Sequence, residues 1–307
     1  VKVKSTDRVP AFHAAIIRWY RRNARDLPWR RRSDPYSVLV SETMLQQTQV
    51  ARVIPKFEKF LAAFPTIASL ACAPLADVLR MWSGLGYNSR AKRLHETART
   101  VLRDFNGQVP HAIDDLRTLP GVGRYTAGAV ASFAYGADEA AVDVNVGRVL
   151  SRALLGKDRI TGSAIWELAA RVVPRGRASM WNHALMDVGA LFCRPNPDCA
   201  GCPARRNCVF STSGKPERKT GARRGRALSA KAPFLGSRRY YRGRVVRALT
   251  CAPRLSLLAL GEQVKEDFAA TDVAWLRDLL AELERDGLVA LDANRAHVRL
   301  PTDARQS

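Results

Sequence analysis

The sequence predicts a mainly α-helical protein that ends in a small α+β module. Three observations carry this. From Pro10 to about Phe210, segments such as "AFHAAIIRWYRRNA", "VARVIPKFEKFLAAF", "LADVLRMWSGLG", "RAKRLHETARTVLRDF" and "AIWELAARVV" repeat apolar residues every three or four positions. Gly, Pro, Asn or Asp punctuate them, and no strand-like alternation persists in between. After Cys208 the composition shifts, and the chain then resumes a folding pattern of helix followed by short strands.

Bulk properties bound the class. The 307 residues are enough for two or three domains, and 47% hydrophobic with 25% charged residues is a globular composition. With 50 Lys+Arg against 28 Asp+Glu the formal net charge is +22, which favours a polyanion, nucleic acid first and anionic membrane second. No apolar run approaches the roughly 20 residues that span a bilayer. The N-terminus, "VKVKSTDRVPAFHAA", has no apolar signal core, so the chain reads as cytoplasmic.

In the stretch "LVSETMLQQTQV", Leu39 to Val50, helical spacing puts Val38, Leu39, Glu42 and Leu45 on one face. Glu42 therefore points where the apolar residues point, either with a structural partner or into a pocket. "QQTQ" follows, four neutral hydrogen-bonding side chains. Further on, "LRTLPGVGRYTAGAV" runs helix, tight turn, helix: Pro120 stops the first, while Gly121 and Gly123 permit positive φ and close approach. Backbone N–H groups at the start of the next helix can grip a phosphate. This helix-hairpin-helix pattern is specific. Asp143, in "AAVDVNVGRVL", precedes another helical pattern and reads as an N-cap or as a functional acid.

Four of the six cysteines, Cys193, Cys199, Cys202 and Cys208, stand at C-x5-C-x2-C-x5-C. Such crowding marks a metal centre in a reducing compartment rather than a disulfide framework. Zinc sites with four thiolates usually pair two C-x2-C knuckles, and only one occurs here, which leaves zinc or an iron-sulfur cluster. Cys72 and Cys251 read as core residues. Residues 213–233 form a basic linker; between Lys215 and Arg247 twelve Lys/Arg face one Glu. "TDVAWLRDLLAELERDG" is an amphipathic helix with Thr271 or Asp272 as N-cap and Gly287 past its end, and "LVALDANRAHVRL" reads as two strands around a turn. Helices followed by a two-stranded wing suggest a winged-helix-like domain over 234–307.

From about Leu27 to Cys208 the chain resembles the adenine DNA glycosylases of the MutY type, within the endonuclease III superfamily. The motifs that carry this are "LPWR", "VSETMLQQTQV", "WSGLGYNSRAKRLH", "LPGVGRYTAGAV", "VDVNVGRVL", "NHALMDVGALFC" and the cysteines. Their gap pattern is similar to that family's C-x6-C-x2-C-x5-C with the first gap one residue short. The resemblance implies a helix-hairpin-helix DNA glycosylase fold: a six-helix barrel over 29–139, and a discontinuous iron-sulfur helical domain over 1–28 and 140–212. It further implies a [4Fe-4S] cluster, mismatched or oxidised double-stranded DNA as partner, no membrane, a monomer, and a nucleoid-associated location.

The same resemblance implies site roles. Glu42, its pKa raised by apolar neighbours, protonates the purine at N7, and Asp143, ionised at a helix N-terminus, stabilises the sugar cation. The target base leaves the helix to reach them. Tyr125 stands where bifunctional relatives carry the Schiff-base lysine, so base removal without strand cleavage is expected. Trp29, Arg30, His183 and Asn145 line the base pocket. Gln47 enters the duplex with Leu45, Gln46 and Thr48 nearby, and Tyr87 wedges from the other side. Gly121, Gly123 and Arg124 of the hairpin hold DNA, while Arg90, Lys92 and Arg93 fit phosphates, although a solvated helix face would look the same.

Two departures keep alternatives open. His183 replaces the Gln or Glu that better-known relatives carry, and its imidazole could titrate near pH 6.5. The roughly 70 residues after Phe234 do not resemble the Nudix-like domain that reads 8-oxoguanine in many relatives. A thymine or uracil mismatch glycosylase is the second enzyme reading, and a non-enzymatic iron-sulfur winged-helix regulator the third.

Overall fold

Apolar spacing of three and four becomes helix throughout the body. The computed structural model describes residues 8–213 and 234–302; from residue 214 on, the basic linker lies outside the described residues. The helices are α1 (Arg8–Asn23), α2 (Pro35–Leu45), α3 (Val50–Ala63), α4 (Ile67–Cys72), α5 (Leu75–Trp82), α6 (Ser89–Asp104), α7 (Ile113–Thr118), α8 (Arg124–Tyr135), α9 (Val144–Leu155), α10 (Ser163–Val172), α11 (Ala178–Leu191) and α12 (Val209–Thr212). After the undescribed stretch come α13 (Arg238–Cys251), β1 (Leu255–Ser256), α14 (Leu257–Val264), α15 (Val273–Arg285), β2 (Ala290–Leu291) and β3 (His297–Arg299). Among the described residues no helix is long and apolar enough to cross a membrane.

Contacts group the chain into two units, each discontinuous. The first contains described residues 8–39, 110–118 and 122–213. Its core is built from Phe12 and Ile16 of α1, Leu150 and Leu154 of α9, and Trp181 and Leu185 of α11, all essentially inaccessible. Phe12 meets Trp181 edge to face, with centroids 5.5 Å apart, the arrangement the ring quadrupoles prefer.

Within this unit Asn182 of α11, fully buried, ties down the chain between α8 and α9. Its amide nitrogen donates to Ser132 Oγ (3.0 Å) and to the Glu139 carbonyl (2.8 Å), while its oxygen accepts the Ala141 N–H (3.2 Å). Gly128 of α8 packs against the same segment so closely that a Cβ there would lie 2.4 Å from the Ala140 carbonyl oxygen. The chain therefore enters α9 along one fixed path.

The second unit contains 40–109, 119–121 and 234–302. In its first part Val53, Phe57, Phe60 and Leu61 of α3 follow helical spacing and are buried, and Phe60 meets Trp82 edge to face at 6.0 Å. The short α4 begins with a reciprocal cap: Ser69 N donates to Thr66 Oγ1 and Thr66 N to Ser69 Oγ, each at 3.0 Å.

The C-terminal part runs α13, β1, α14, α15, β2, β3, a winged-helix-like order around Leu249, Leu260, Leu279 and Val298. Its sheet is three-stranded and antiparallel in the order β1-β3-β2, with Leu255 opposite Val298 and Ala290 opposite Arg299. The wing expected from the sequence is β2 and β3; β1 is an addition, too short to show alternation. α15 ends at Gly287 in the left-handed region (φ +66°), as expected. Asp272 is its N-cap residue, one of the two expected, but its carboxylate makes no cap hydrogen bond: it accepts the Ala269 N–H (3.0 Å) and pairs with Lys265 (2.5 Å), closing the preceding turn.

Replacing Gly128 by Ala forces a methyl against the Ala140 carbonyl. Overpacking of this kind costs about 1–3 kcal/mol, and urea unfolding of Gly128→Ala should show it as a lower midpoint at unchanged slope.

Candidate active site

α2 is apolar almost all round and buried to match: Val38, Leu39, Val40 and Met44 are 3% exposed or less, and Glu42 among them only 5%. The acid is placed inside by its helix, as its spacing predicts.

Asp143 is the N-cap of α9. One carboxylate oxygen accepts the backbone N–H groups of Asn145 (2.9 Å) and Val146 (2.7 Å), and the other accepts the Asn145 side-chain amide (3.1 Å). The structural and functional readings of this residue are therefore compatible. Burial pushes its pKa above the ordinary aspartate value, outweighing the three hydrogen bonds and the nearby Arg148 that favour the anion. Burial, rather than the helix terminus expected to keep this acid ionised, sets the sign of the shift. Asn145, expected in the base pocket, is half-buried and links Asp143 to the next turn of α9. Its amide oxygen accepts from Arg148 (2.7 Å), whose guanidinium also donates to the carbonyls of Gly189 (3.0 Å) and Cys193. A continuous set of hydrogen bonds thus runs from Asp143 to the first of the clustered cysteines.

Trp29 and Arg30 form a short 3-10 turn. The Arg30 guanidinium forks onto Asp187 of α11 with both contacts at 2.8 Å, and Arg25 joins through its side chain at 2.6 Å. Burial opposes the charge on Asp187, but the two arginines hold its carboxyl below the usual range. Asp187 was not singled out from the sequence; its place in "HALMD", one turn after His183, was the available signal. His183 stacks on Phe133 with centroids 3.9 Å apart, and burial, with Arg30 as a second cause, pushes its pKa down to about 3. The expectation of titration near pH 6.5 is corrected: the imidazole is neutral there because neither desolvation nor the arginine tolerates its charge.

The two loops expected at DNA share one buried cation. Arg90 is 7% exposed, and its guanidinium donates to the carbonyls of Thr43 (2.8 Å), Met44 (2.9 Å), Gln46 (2.6 Å), Leu85 (3.3 Å) and Gly86 (3.0 Å) and to Thr48 Oγ1 (3.0 Å). This is not the phosphate contact expected. The carbonyls left open at the C-terminus of α2 draw the side chain inward, and burial lowers its pKa to about 10. On either side stand Gln47 (φ +55°) and Tyr87 (φ +48°), both in the left-handed region that non-glycine residues avoid. Gln47 and Tyr87 are exposed, while Leu45, Gln46 and Thr48 are half-buried. Lys92 is likewise occupied, donating to the Asp286 carbonyl at 2.9 Å.

In the hairpin turn Gly121 takes the expected positive φ (+78°), and a Cβ there would press on Arg93 at 3.0 Å. Gly123 does not: it is extended, it caps α8, and the space before its missing Cβ is open. Arg124 is exposed and lies over the Trp166 ring at 4.3 Å. Tyr125 is half-buried.

Cys193, Cys199, Cys202 and Cys208 line one cavity with Arg152 and Phe210. Among the described residues no group of three or more His, Cys, Asp or Glu is arranged to hold a metal ion. The four thiols on one cavity are donors of the kind a thiolate-bound centre uses. Arg152, itself buried, donates to the Arg194 carbonyl (2.7 Å) and approaches Cys193 Sγ at 3.6 Å. Cys72 and Cys251 are exposed, not core: each is the last residue of its helix.

The family model for "HhH-GPD superfamily base excision DNA repair protein" matches residues 40–175. The adenine DNA glycosylase of Mycobacterium tuberculosis is 40% identical over 269 residues, 86% of this chain and 83% of that one. The chain belongs to the adenine DNA glycosylase family. These are hydrolytic enzymes of base excision repair, and DNA is their partner. The human adenine DNA glycosylase is 44% identical over 65% of this chain, which spans 39% of the human protein's length. A solved thermostable thymine-DNA glycosylase superposes with a TM-score of 0.63 at 32% identity, covering 67% of this chain and 98% of that one. Within the family the loops around Arg90 belong to the matched region, whereas α13 to β3 lie beyond it.

Two outcomes follow for the glycosylase. Arg90→Lys leaves several buried carbonyls unpaired, a loss of about 2 kcal/mol or more, readable in urea unfolding. Since folding lowers the His183 pKa, protonation opposes folding: its contribution is complete above 6.5 and lost as pH falls toward 3. The melting temperature of wild type relative to His183→Gln should drop over that window.

Proposed function

We propose that the chain removes adenine mispaired with 8-oxoguanine or guanine from duplex DNA, as a monomer, and leaves the strand uncut. The observation that carries this reading is identity of 40% along 83% of a curated adenine DNA glycosylase, in a chain whose sequence carries the motif acids Glu42 and Asp143. In this reading Glu42 protonates the flipped purine at N7, which converts adenine into a neutral leaving group. Asp143, held by its cap, faces the oxocarbenium-like sugar, and water completes the exchange at C1′. Tyr125 supplies no amine, so there is no Schiff base through which the strand could be cut. Gln47 and Tyr87 enter the duplex at the mismatch, the open side of Gly123 and the start of α8 receive a phosphate, and Arg30 and His183 border the base.

The four clustered cysteines would hold a [4Fe-4S] cluster, whose contribution is to fix the 193–208 loop. The residues around them suit it: four thiols on one cavity and a buried arginine beside the first. The contacts of Arg148 then make the orientation of Asn145, and through it Asp143, depend on that loop.

The thymine-DNA glycosylase likeness favours one second reading, excision of thymine from a mismatch. Duplexes carrying A:8-oxoG, A:G, T:G or U:G, incubated and then treated with alkali, separate the two. Adenine release is expected; thymine or uracil release transfers the chain to the second reading, and cutting without alkali contradicts the role given to Tyr125. Asp143→Asn should slow single-turnover excision by roughly a thousandfold or more with duplex affinity retained. Because the Asp143 pKa is raised, the wild-type rate should begin to fall at a higher pH than an ordinary aspartate would give. The purified protein should contain iron and acid-labile sulfide; stoichiometric zinc without sulfide would exclude the cluster.

A further inference from the structure

The C-terminal helical module carries an arginine aimed at the Tyr87 loop. The N-terminal turns of α13 hold Arg238, Arg239 and Arg242, an unfavourable place for cations at the positive end of a helix dipole. Glu282 of α15 and Asp286 just past its end compensate Arg238 and Arg242. Arg239 turns the other way. Its Nη1 donates to the Tyr87 hydroxyl at 2.6 Å, and its guanidinium lies 5.2 Å from the Tyr87 ring centroid and 5.0 Å from that of Phe234.

Tyr87 thereby stands between two arginines, since Arg90 lies 5.5 Å from the same ring. The inner arginine fixes the backbone of the loop, and the outer one holds the tip of the ring. The module is secured beside this loop by a second contact, Lys92 of α6 on the Asp286 carbonyl. Around Arg239 the surface is aromatic and open: Tyr87 is 38% exposed and Phe234 53%. A planar cation between exposed rings on a strongly basic chain suits stacking on nucleobases and hydrogen bonding to their edges.

We propose that Arg239 is a positioning residue for the Tyr87 ring, and that through this contact the C-terminal module sets selectivity for the base opposite the excised adenine. The proposal rests on the reading of Tyr87 as the wedge given above. It assigns to α13 a part in DNA recognition that the matched family region, ending at 175, does not contain.

The test uses full-length wild type, Arg239→Ala, Arg239→Lys, Tyr87→Phe, the Ala/Phe double variant and Tyr87→Ala. Single-turnover rates on A:8-oxoG and A:G give a preference ratio, and melting temperatures report folding. Arg239→Ala should lower the ratio roughly fivefold, the scale of one cation–π contact with its hydrogen bond, at an unchanged melting temperature. Arg239→Lys, a point charge without the planar fork, should fall between, and the double variant should be no worse than Arg239→Ala. A reduced ratio in Tyr87→Ala with a wild-type ratio in Arg239→Ala and Arg239→Lys would overturn the proposal while leaving the wedge reading intact. A wild-type ratio and affinity in Tyr87→Ala would overturn both.

Discussion

A carboxylate drawn out of water keeps its place only where hydrogen bonds offset the lost hydration. Asp143 meets that constraint as the cap of α9. Three hydrogen bonds oppose the desolvation that raises its pKa. The rest of the first unit keeps that cap in register: Asn182 and Gly128 fix the segment that leads into it, and Asn145 and Arg148 fix the turn that follows. The core of α1, α9 and α11 supplies the rigidity behind these contacts.

The second unit solves a different problem. Its exposed residues must adopt strained backbone conformations without a ligand to hold them. A single guanidinium, desolvated and surrounded by carbonyls, does so for the loops of Gln47 and Tyr87 together. One buried charge is thus compensated by many neutral acceptors rather than by a carboxylate.

Much of this was legible from the chain. Periodicity gave the helices, the inward acid at position 42, and the last helix with its wing, because burial of an apolar stripe dictates spacing. The hairpin, Asp143 and the cysteines were legible as motifs. Arg90 was not, because a buried arginine and a surface one look alike until the carbonyls they answer are placed. His183 followed the same logic: its neutrality comes from Phe133 and Arg30, which are distant in sequence. Cys72 and Cys251 were misread because a helix's final residue escapes the burial that its neighbours suggest. β1, two residues long, carried no pattern to read.

The second unit is assembled from segments that lie, in sequence, on either side of residues 122–213 of the first. Closing so long a loop is thermodynamically mild, since each doubling of its length adds only about 0.6 kcal/mol, but it is a late event. During synthesis α3 to α6 emerge well before α13, and the Asp286 carbonyl that accepts the Lys92 N–H comes later still. The contacts that fasten α6 to the end of α15 and Tyr87 to Arg239 can therefore form only once the segment from residue 234 on has been made.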